Sequence, residues 1–304
     1  MRESSSPKYY IFQCLPKNLH LTRHHDSSVM KLFPLYLLQV AMIPLSGILY
    51  MVSWKKEVVM KNTSLCEKLT HHSNSNLFYF SLLHNMMYDL ACFFWFKLAP
   101  VYFQPKIEIS DSCRRQLRQI KMNQDRHIPT IIYSVHYGNF EWMAHFLQQN
   151  DIALVASVHP LHQNLPARVL QFLRQFNKTP YTLDFKNNFN SIRNIFSSGQ
   201  PLGWMVDQRP IRKTNCIHPF LTQSTCWNPI PQYLESKFKT KQFSCLLIRT
   251  SWVKFQLRVE YLNKTYPSSI EHLEYFIYKR PHLYYGLTHK RFSHEHHYPK
   301  TYSQ

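Results

Sequence analysis

One stretch of the 304-residue chain combines side chains suited to acid–base chemistry with a pattern that can position them. It runs TIIYSVHYGNFEWMAHFL over residues 130–147. The β-branched and apolar residues at its start predict a strand, and the apolar residues from Phe140 onward predict a helix. His136 stands on the turn between the two, and Glu141 lies in the first helical turn. A histidine held through Nδ1 by a carboxylate presents a neutral Nε2 that can take a proton from a hydroxyl group.

The turn itself contains residues suited to place a catalytic group. Gly138 allows the backbone to turn tightly, and Asn139 is a favourable N-cap for the helix that follows. Ligands and reactive side chains of open α/β sheets gather at the carboxyl ends of strands, which is where His136 falls. Taken alone, a histidine followed by a glutamate is also typical of a turn histidine with a structural hydrogen bond. The rest of the chain must therefore decide between the two interpretations.

Alternating strands and helices are predicted from residue 130 onward. This alternation predicts an α/β domain with a largely parallel or mixed sheet. Apolar runs predict strands over 130–135, 152–158, 202–206, 243–248 and 253–261. Helical periodicity predicts helices over 165–176, 188–198, 231–238 and 269–279. Asp207 directly follows the third strand, again at a carboxyl end.

The region before this domain begins with a long uncharged segment. Residues 32–54 are 23 positions without a charge, and about 20 apolar residues suffice to cross a bilayer. Trp54 and the two lysines after it are typical of a stop at the membrane interface. We expect a membrane anchor or a deeply embedded interfacial helix; the alternatives are a buried core helix and a signal peptide, although no small-residue cleavage site follows. If translation starts at Met30, the lysines after the segment place the remaining chain in the cytoplasm; if the first 29 residues belong to the protein, the charges on the two flanks nearly balance and the rule does not decide the orientation.

Two more helices are expected beside this anchor. Residues 77–96 are apolar but include His84 and Asp89. Because a charge at bilayer depth is costly, this helix fits a position between the domain and the interface. Residues 111–126 predict an amphipathic helix with a basic face, which is typical of a solvated surface and also suits anionic headgroups.

The composition restricts the class of protein and its partners. The chain is 44% hydrophobic and 15% aromatic, which excludes an intrinsically disordered protein. Lys and Arg number 36 against 17 Asp and Glu, a formal net charge of +19, so partners should be anionic: nucleic acid, an acidic protein or phosphate-bearing lipid. The seven cysteines contain no Cys-x-x-Cys pair, which argues against a zinc ribbon and favours a reducing compartment. The histidines of segment 294–297 lack a second ligand cluster and are expected to form a solvated tail.

Several motifs, in order along the chain, resemble one enzyme family. The run His136-Tyr137-Gly138-Asn139-Phe140-Glu141 is similar to the His, four residues, acidic signature of the lysophospholipid acyltransferase superfamily. More narrowly, it resembles the form found in the lipid A biosynthesis (Kdo-lipid A lauroyl/myristoyl) acyltransferases. Further likenesses lie in segment 199–208, at Pro219-Phe220, at Arg249 and in segment 281–292. With the anchor included, the resemblance covers roughly residues 32–292.

The resemblance implies an activity and a fold. The activity is transfer of a fatty acyl chain from acyl-carrier protein to a hydroxyl of a lipid A precursor, at the cytoplasmic face of a bacterial inner membrane. The fold is α/β, a mixed central sheet flanked by helices with an N-terminal membrane anchor helix. His136 would be the general base that deprotonates the acceptor, and Glu141 would orient and charge-balance its imidazole. A thioester is already activated, so no enzyme nucleophile is needed, and we expect no cofactor or metal.

The same resemblance implies a set of substrate-binding residues. Arg174 matches the family's arginine within one residue of alignment, with Arg168 as the alternative, and a guanidinium can hold a phosphate of the acceptor bidentately. An exposed helix arginine is the other interpretation. Asp207 would fix the donor or the acceptor, or be a structural carboxylate at a strand end. The full set is Asn139, Arg174, Asp207, Arg249 and Arg291, the last with Lys290 as a headgroup or carrier-protein contact.

The chain departs from the family pattern at two informative places. Trp227 stands where small residues are expected, so it could shorten or block a hydrocarbon channel. Gly286 stands where Trp is usual. These departures keep two alternatives open: an acyltransferase for another lysophospholipid or glycolipid, and a non-catalytic lipid-binding relative. A nucleic-acid binder is disfavoured, because no zinc finger or RNA-recognition signature is present.

The expected organisation has five parts. They are a polar leader at 1–29, expected to be disordered, a membrane anchor helix at 30–54, a helical membrane-proximal region at 55–128, an α/β acyltransferase core at 129–292 and a His-rich tail at 293–304.

Overall fold

A mixed seven-stranded sheet carries the predicted alternation of strands and helices. The computed structural model describes residues 29–66, 69, 75–98, 106–158, 174–176, 179–180, 182–184, 189–208, 210, 216–251, 254–268 and 271–288. The strands are β1 Lys106–Ile109, β2 Thr130–Ser134, β3 Val155–Val158, β4 Gln175–Phe176, β5 Thr179–Pro180, β6 Thr182–Asp184, β7 Leu202–Met205, β8 Ile217–Phe220, β9 Gln223–Cys226, β10 Lys241–Arg249 and β11 Lys254–Leu262. The sheet has the order β1-β11-β10-β2-β7-β3-β6. Five neighbouring strands, from β10 to β6, run parallel, whereas β11 and β1 run the opposite way.

Helices cover both faces of this sheet. They are α1 Val29–Met51, α2 Lys56–Leu65, α3 Asn76–Leu98, α4 Asp111–Asp125, α5 Phe140–Gln149, α6 Phe189–Ser197, α7 Ile230–Phe238 and α8 His272–Lys279. Two 3₁₀ turns follow at Pro281–Leu283 and Tyr285–Thr288. The observed architecture is therefore α/β with a mixed central sheet flanked by helices, as predicted.

The strands of the sheet bury side chains on both faces, which produces two apolar layers. On β2, Ile131 and Tyr133 belong to one layer and Ile132 to the other, because successive side chains of a strand point to opposite faces. Residues of α6, α7 and α8 complete the first layer, and residues of α4 and α5 complete the second. Burial on both faces explains why these strands are continuous apolar runs in the sequence.

Helix α3 connects the two layers. Tyr79 and Leu83 in its first half pack into one layer, and Tyr88 and Phe93 in its second half pack into the other. The helix therefore passes from one face of the sheet to the other at the carboxyl ends of β2 and β10. The turn that contains His136 lies at this same edge.

Most predicted elements of the domain are confirmed with small shifts at their ends. The strands expected over 130–135, 202–206, 243–248 and 253–261 are β2, β7, β10 and β11, and the one expected over 152–158 is the shorter β3. The helix predicted over 165–176 lies largely outside the described residues. Its last two residues, Gln175–Phe176, form a short strand paired with Thr179–Pro180, so the predicted helical end is wrong there.

Two strand segments lack the apolar runs from which strands are predicted. The hairpin of β8 and β9 reads IHPF and QSTC, which is polar and includes a proline. Strand β1 is only four residues long and pairs with β11 at the edge of the sheet. It falls within the region 55–128, so that region contributes to the sheet as well as forming helices.

The apolar N-terminal region is helical, and α1 packs against α3. No single helix among the described residues is long and apolar enough to cross a membrane. The pair Leu37–Met51 and Lys56–Leu65 meets that requirement only together, with a bend of 86° between them. The membrane anchor therefore stays a prediction. The predicted leader and His-rich tail lie outside the described residues, apart from Val29.

Candidate active site

Gly138 fixes the shape of the turn between β2 and α5. Its φ is +57°, in the left-handed region that favours glycine. A Cβ atom at this position would lie 2.6 Å from the backbone oxygen of Leu247 on β10. Asn139 donates its N–H to that same oxygen at 3.0 Å, and its side chain accepts from the N–H of Trp142 at 3.4 Å. Asn139 is therefore the N-cap of α5, as predicted.

His136 lies on this turn and is held by Asp207. Its Nδ1 lies 2.8 Å from Oδ1 of Asp207, and its backbone N–H donates to Oδ2 at 2.9 Å. The two side chains meet because β2 and β7 are parallel neighbours, so residues just past their carboxyl ends stand side by side. Both are buried, with 8% of His136 and 1% of Asp207 exposed. One carboxylate thus fixes both the backbone and the ring of the histidine.

This geometry presents Nε2 of His136 as the proton acceptor. With the Nδ1 proton directed at Asp207, the neutral ring carries its lone pair on Nε2. The side-chain amide of Gln208 lies 3.5 Å from Nε2, and the ring of Phe140 packs edge-on against the imidazole at 4.9 Å between centroids. The arrangement is that of a histidine oriented by a buried acid, which can accept a proton from a hydroxyl group.

Glu141 occupies a different position from the one expected. Arg174 donates from Nε to Oε2 of Glu141 at 2.9 Å and from Nη2 to Oε1, a bidentate ion pair. Both side chains are partly shielded from solvent. The carboxylate at Nδ1 of His136 is that of Asp207, for which the sequence predicts either substrate binding or a structural role at a strand end. The structure therefore places Glu141 beside Arg174, and Asp207 in the position expected for Glu141.

Arg249 is part of a buried polar cluster rather than an open surface. Its Nε donates to Oδ1 of Asp89 at 3.0 Å, its Nη2 donates to Oδ1 of Asn85, and its guanidinium lies 4.7 Å from the ring centre of Tyr88. The hydroxyl of Tyr285 donates to the other oxygen of Asp89. Burial by itself lowers the pKa of Arg249, but the adjacent Asp89 carboxylate raises it, and the net direction is upward. The guanidinium is therefore charged and directed into the protein.

Asn139 is likewise engaged inside the protein. Its side-chain amide donates to the backbone oxygen of Asp89 at 3.0 Å, and only 2% of the residue is exposed. The substrate-binding roles expected for Asn139 and Arg249 thus fall on buried residues that bind their own chain. Arg291 and Lys290 lie outside the described residues.

Two residues of this region were missed as site residues. In the sequence, Asp89 stands out only as a charge that disfavours bilayer depth, and the structure buries it against the turn that contains His136. Tyr285 donates its backbone N–H to the oxygen of His136 at 2.7 Å. A carboxylate alone in a long apolar segment was the available signal for Asp89, because such a group must find a partner when it is buried.

A series of packed aromatic rings connects Trp227 with the turn that contains His136. Trp227 is fully buried, and its indole packs edge-on against Phe220 at 5.3 Å and Tyr266 at 6.0 Å between centroids. Phe220 in turn lies 6.2 Å from Tyr284, which forms a backbone bridge with Tyr137 next to the histidine. Trp227, the residue expected to affect a hydrocarbon channel, is thus connected to the turn through two aromatic residues, Phe220 and Tyr284.

The buried cysteines Cys66 and Cys113 are poorly suited to nucleophilic chemistry. Burial raises the pKa of Cys66 to about 12 and that of Cys113 to about 11, so both are neutral thiols near pH 7. No group of three or more histidine, cysteine or acidic residues that could hold a metal ion occurs among the described residues.

Comparison with known protein families shows to which family the chain belongs. The family of bacterial lipid A biosynthesis acyltransferases matches residues 82–269, which is more than half of the chain. The chain belongs to this family. Its lipid A acyltransferase region includes the His136–Asp207 pair, the Glu141–Arg174 pair and Arg249. The resemblance seen in the sequence is confirmed, and no curated protein matches the chain.

Membership in the lipid A acyltransferase family indicates the general chemistry of the site. An acyl transfer to a hydroxyl needs a group that removes the hydroxyl proton. The turn after β2 carries a histidine whose Nδ1 lies against a buried carboxylate, and this turn falls within the residues that match the family.

Proposed function

We propose that this chain transfers a fatty acyl group from acyl-carrier protein to a hydroxyl of a lipid A precursor, with His136 as the general base. The observation that carries the proposal is the 2.8 Å contact between Nδ1 of His136 and Oδ1 of Asp207, within a chain of the lipid A biosynthesis acyltransferase family. A neutral imidazole held in one tautomer is the form that accepts a proton at Nε2. Asp207 takes the orienting role in this proposal.

The proposed reaction proceeds by direct attack. Nε2 of His136 removes the acceptor's hydroxyl proton as the oxygen bonds to the carbonyl carbon of the thioester. Asp207 stabilises the imidazolium that forms. When the tetrahedral intermediate collapses, the carbon–sulfur bond breaks and the imidazolium returns its proton to the departing thiolate. The products are an ester and the free thiol of the carrier, and the histidine regains its neutral form.

Arg174 and Glu141 fit a role in substrate binding. The guanidinium lies close to the turn, since its partner Glu141 is in the first turn of α5. Glu141 fixes the orientation of the guanidinium through two parallel hydrogen bonds. We propose that Arg174 contacts a phosphate of the acceptor and that Glu141 acts through it. The formal charge of +19 suits both a phosphorylated glycolipid and an acidic carrier protein.

We further propose that the protein works at the cytoplasmic face of a bacterial inner membrane, with helices α1 and α3 against the lipid. Both helices expose large apolar side chains: Leu37, Val40, Ile43, Leu45, Ile48 and Met51 on α1, and Leu77, Leu90, Phe94 and Trp95 on α3. Single exposed apolar residues are common on soluble proteins, whereas so many on two packed helices are typical of a surface that binds lipid or another protein. Lys55 lies over the ring of Trp54 at 5.2 Å, at the end of α1 where headgroups would lie.

The enzymatic proposal is tested with the purified chain in detergent micelles. Labelled acyl-carrier protein is supplied with three acceptors: a tetra-acylated lipid A precursor, the same precursor without its phosphates, and a lysophospholipid. Transfer to the precursor that is lost in His136→Ala supports the proposal. The matched control is His127→Ala, which changes a histidine at the opposite end of β2. Transfer only to the lysophospholipid would reject the proposed acceptor, and full activity of His136→Ala would reject the proposed base.

The membrane proposal is tested by flotation of the chain with vesicles that contain anionic lipids. The double variant Ile48→Asp with Phe94→Asp should no longer float with the vesicles, because it puts two charges on the apolar surface. The control is Tyr275→Asp, which alters a side chain on α8 that is also exposed. Equal flotation of both variants would show that this surface does not bind lipid.

A further inference from the structure

The strongest feature outside the His136–Asp207 pair is a buried polar cluster formed by Asn85, Asp89, Arg249 and Tyr285, here called the Asp89 cluster. It joins three separate parts of the chain: α3, the carboxyl end of β10 and the second 3₁₀ turn. Asp89 receives one hydrogen bond from Arg249 at 3.0 Å and another from the Tyr285 hydroxyl. Both oxygens of the carboxylate are therefore engaged.

The energetics of such a cluster argue for a role beyond stability. Removing two charges from water costs about as much as their attraction returns, so a buried ion pair is weak evidence for stabilisation. Apolar residues of similar volume would serve a purely structural purpose equally well. Buried polar networks do, however, fix one arrangement of the elements that they join, because any other arrangement leaves charges without partners.

The elements joined here are those that hold the catalytic turn. The oxygen of His136 accepts from the N–H of Tyr285 at 2.7 Å, and the N–H of Gly138 donates to the oxygen of Leu283 at 2.9 Å. The turn is thus paired, by its backbone, with the segment that Tyr285 anchors. Its other end is tied to α3, because the Asn139 amide donates to the backbone oxygen of Asp89 at 3.0 Å.

Asp89 therefore holds the turn in two ways, through its side chain and through its backbone. Its carboxylate fixes Tyr285, whose N–H holds the oxygen of His136, and its backbone oxygen holds Asn139. The end of β10 is held by the same cluster through the side chain of Arg249, and Arg280 adds a hydrogen bond from Nη1 to the backbone oxygen of Arg249 at 2.9 Å. Asp207 holds the ring and the backbone N–H of His136, and the contacts with Asp89, Leu283 and Tyr285 hold the rest of the turn.

We infer that Asp89 and Tyr285 are positioning residues, which set the location of the His136 turn relative to the bound substrates. The kinetic part of this inference rests on the proposed acyl transfer; the structural part does not. We expect a displacement of the turn by a fraction of an ångström to weaken the approach of Nε2 to the hydroxyl while the two hydrogen bonds between Glu141 and Arg174 persist. We therefore expect a loss in kcat with little change in KM.

Tyr285→Phe is the decisive variant, because it removes one hydroxyl and keeps the ring. The matched control is Tyr133→Phe on β2: that tyrosine is fully buried, and its hydroxyl has no hydrogen-bond partner among the described residues. Amide hydrogen exchange of the full chain in micelles is followed for the peptide that covers residues 136–143. Exchange in Tyr285→Phe should rise roughly tenfold, the scale of one hydrogen bond to a charged group, and stay unchanged in Tyr133→Phe.

Kinetics of the same variants give the second measurement. Tyr285→Phe should lower kcat by about tenfold to a hundredfold, with KM for the acceptor within about twofold of the wild type. Asp89→Asn should lower kcat at least as much. The double variant should be no worse than Asp89→Asn alone, because Tyr285 acts through that carboxylate.

The outcomes separate this inference from the proposed function. If exchange of the 136–143 peptide is unchanged in Tyr285→Phe, the positioning role is wrong whatever the enzyme does. If exchange rises but kcat is unaffected in an active enzyme, the cluster is structural and the inference is overturned. If the wild type transfers no acyl group to any acceptor, the proposed function fails, and the exchange measurement still decides whether the cluster holds the turn.

Discussion

Asp207 contacts His136 through both carboxylate oxygens, one at the ring Nδ1 and one at the backbone N–H. A carboxylate held by two hydrogen bonds from one residue cannot rotate without releasing the ring. The histidine is thereby fixed in one tautomer before any substrate is bound. Preorganisation of this kind is what general-base catalysis requires, because the enzyme does not spend binding energy on orienting its base.

Replacement of the Asp207 carboxylate should lower kcat strongly. Asp207→Asn retains the shape of the side chain but offers the ring an amide, which favours the wrong tautomer and does not stabilise an imidazolium. We expect kcat to fall by about 10²-fold to 10⁴-fold, with the chain still folded. Asp125→Asn is the control, since that carboxylate is exposed and pairs with Lys121. Near-normal turnover of Asp207→Asn, measured with acyl-carrier protein, would contradict the assignment.

The Glu141–Arg174 ion pair should affect substrate affinity rather than turnover. If Glu141 acts through Arg174, then Glu141→Gln and Arg174→Gln each raise the acceptor KM by about tenfold, the value of one charge-assisted contact. The double variant should resemble the single variants, because the two residues form one unit. An acceptor without phosphates should be insensitive to both changes. A large fall of kcat in Glu141→Gln, with KM unchanged, would contradict this role and support the sequence-based prediction that Glu141 orients the imidazole of His136.

Gly138 should tolerate no side chain. Gly138→Ala puts a Cβ atom against the oxygen of Leu247 and keeps a positive φ, so we expect the free energy of unfolding to fall by about 1–3 kcal/mol. Gly47→Ala on α1 is the matched control, because a Cβ there meets nothing within 4 Å. That change should be neutral or slightly stabilising. Thermal unfolding of both variants compares them directly, and equal melting temperatures would show that the turn adapts.

Because the thiol of Cys66 is buried, the free energy of unfolding should decrease at alkaline pH. Burial, with a smaller effect of Glu274, raises the pKa of its thiol from 9.0 to about 12 in the folded chain. Above pH 9 the unfolded chain loses this proton and the folded chain does not, so the stabilisation is full below that pH and is lost progressively toward pH 12. Urea unfolding at about pH 8 and about pH 10 should differ by about 1 kcal/mol more in the wild type than in Cys66→Ala. An identical difference in both chains would exclude this thiol as the cause.

Several features of the fold could be predicted because a local pattern encodes them. Strands β2, β7 and β10 are apolar runs, and Asn139 is a residue type that caps helices. The partner of His136 could not be predicted in this way. Glu141 lies in the first turn of the helix after β2 and Asp207 follows β7, and only the order of strands, with β7 beside β2, decides which of them reaches Nδ1.

Two further differences from the sequence-based expectations concern Arg249 and Gly286. Arg249 follows an apolar strand, as a substrate-binding arginine could, but its partner Asp89 is 160 positions earlier in the chain. Gly286 replaces a large residue of the family pattern, and in the structure the ring of Tyr284 occupies the space where its side chain would stand. The Arg249–Asp89 contact leaves no periodic trace in the sequence, because it joins segments that meet only in the folded protein. The contact at Gly286 is local, but the direction of the Tyr284 ring is not encoded in the apolar periodicity.

Helix α3 has one further consequence for how a lipid would reach the site. One side of it touches the catalytic turn through Asp89, and the next residue, Leu90, is on the exposed apolar surface. If that surface rests in a leaflet, a single helix about 10 Å across separates the hydrocarbon from the histidine. A sugar hydroxyl at the height of the headgroups would then meet the base while the acceptor's own tails stay dissolved in the bilayer. Extraction of the whole glycolipid into water would be unnecessary.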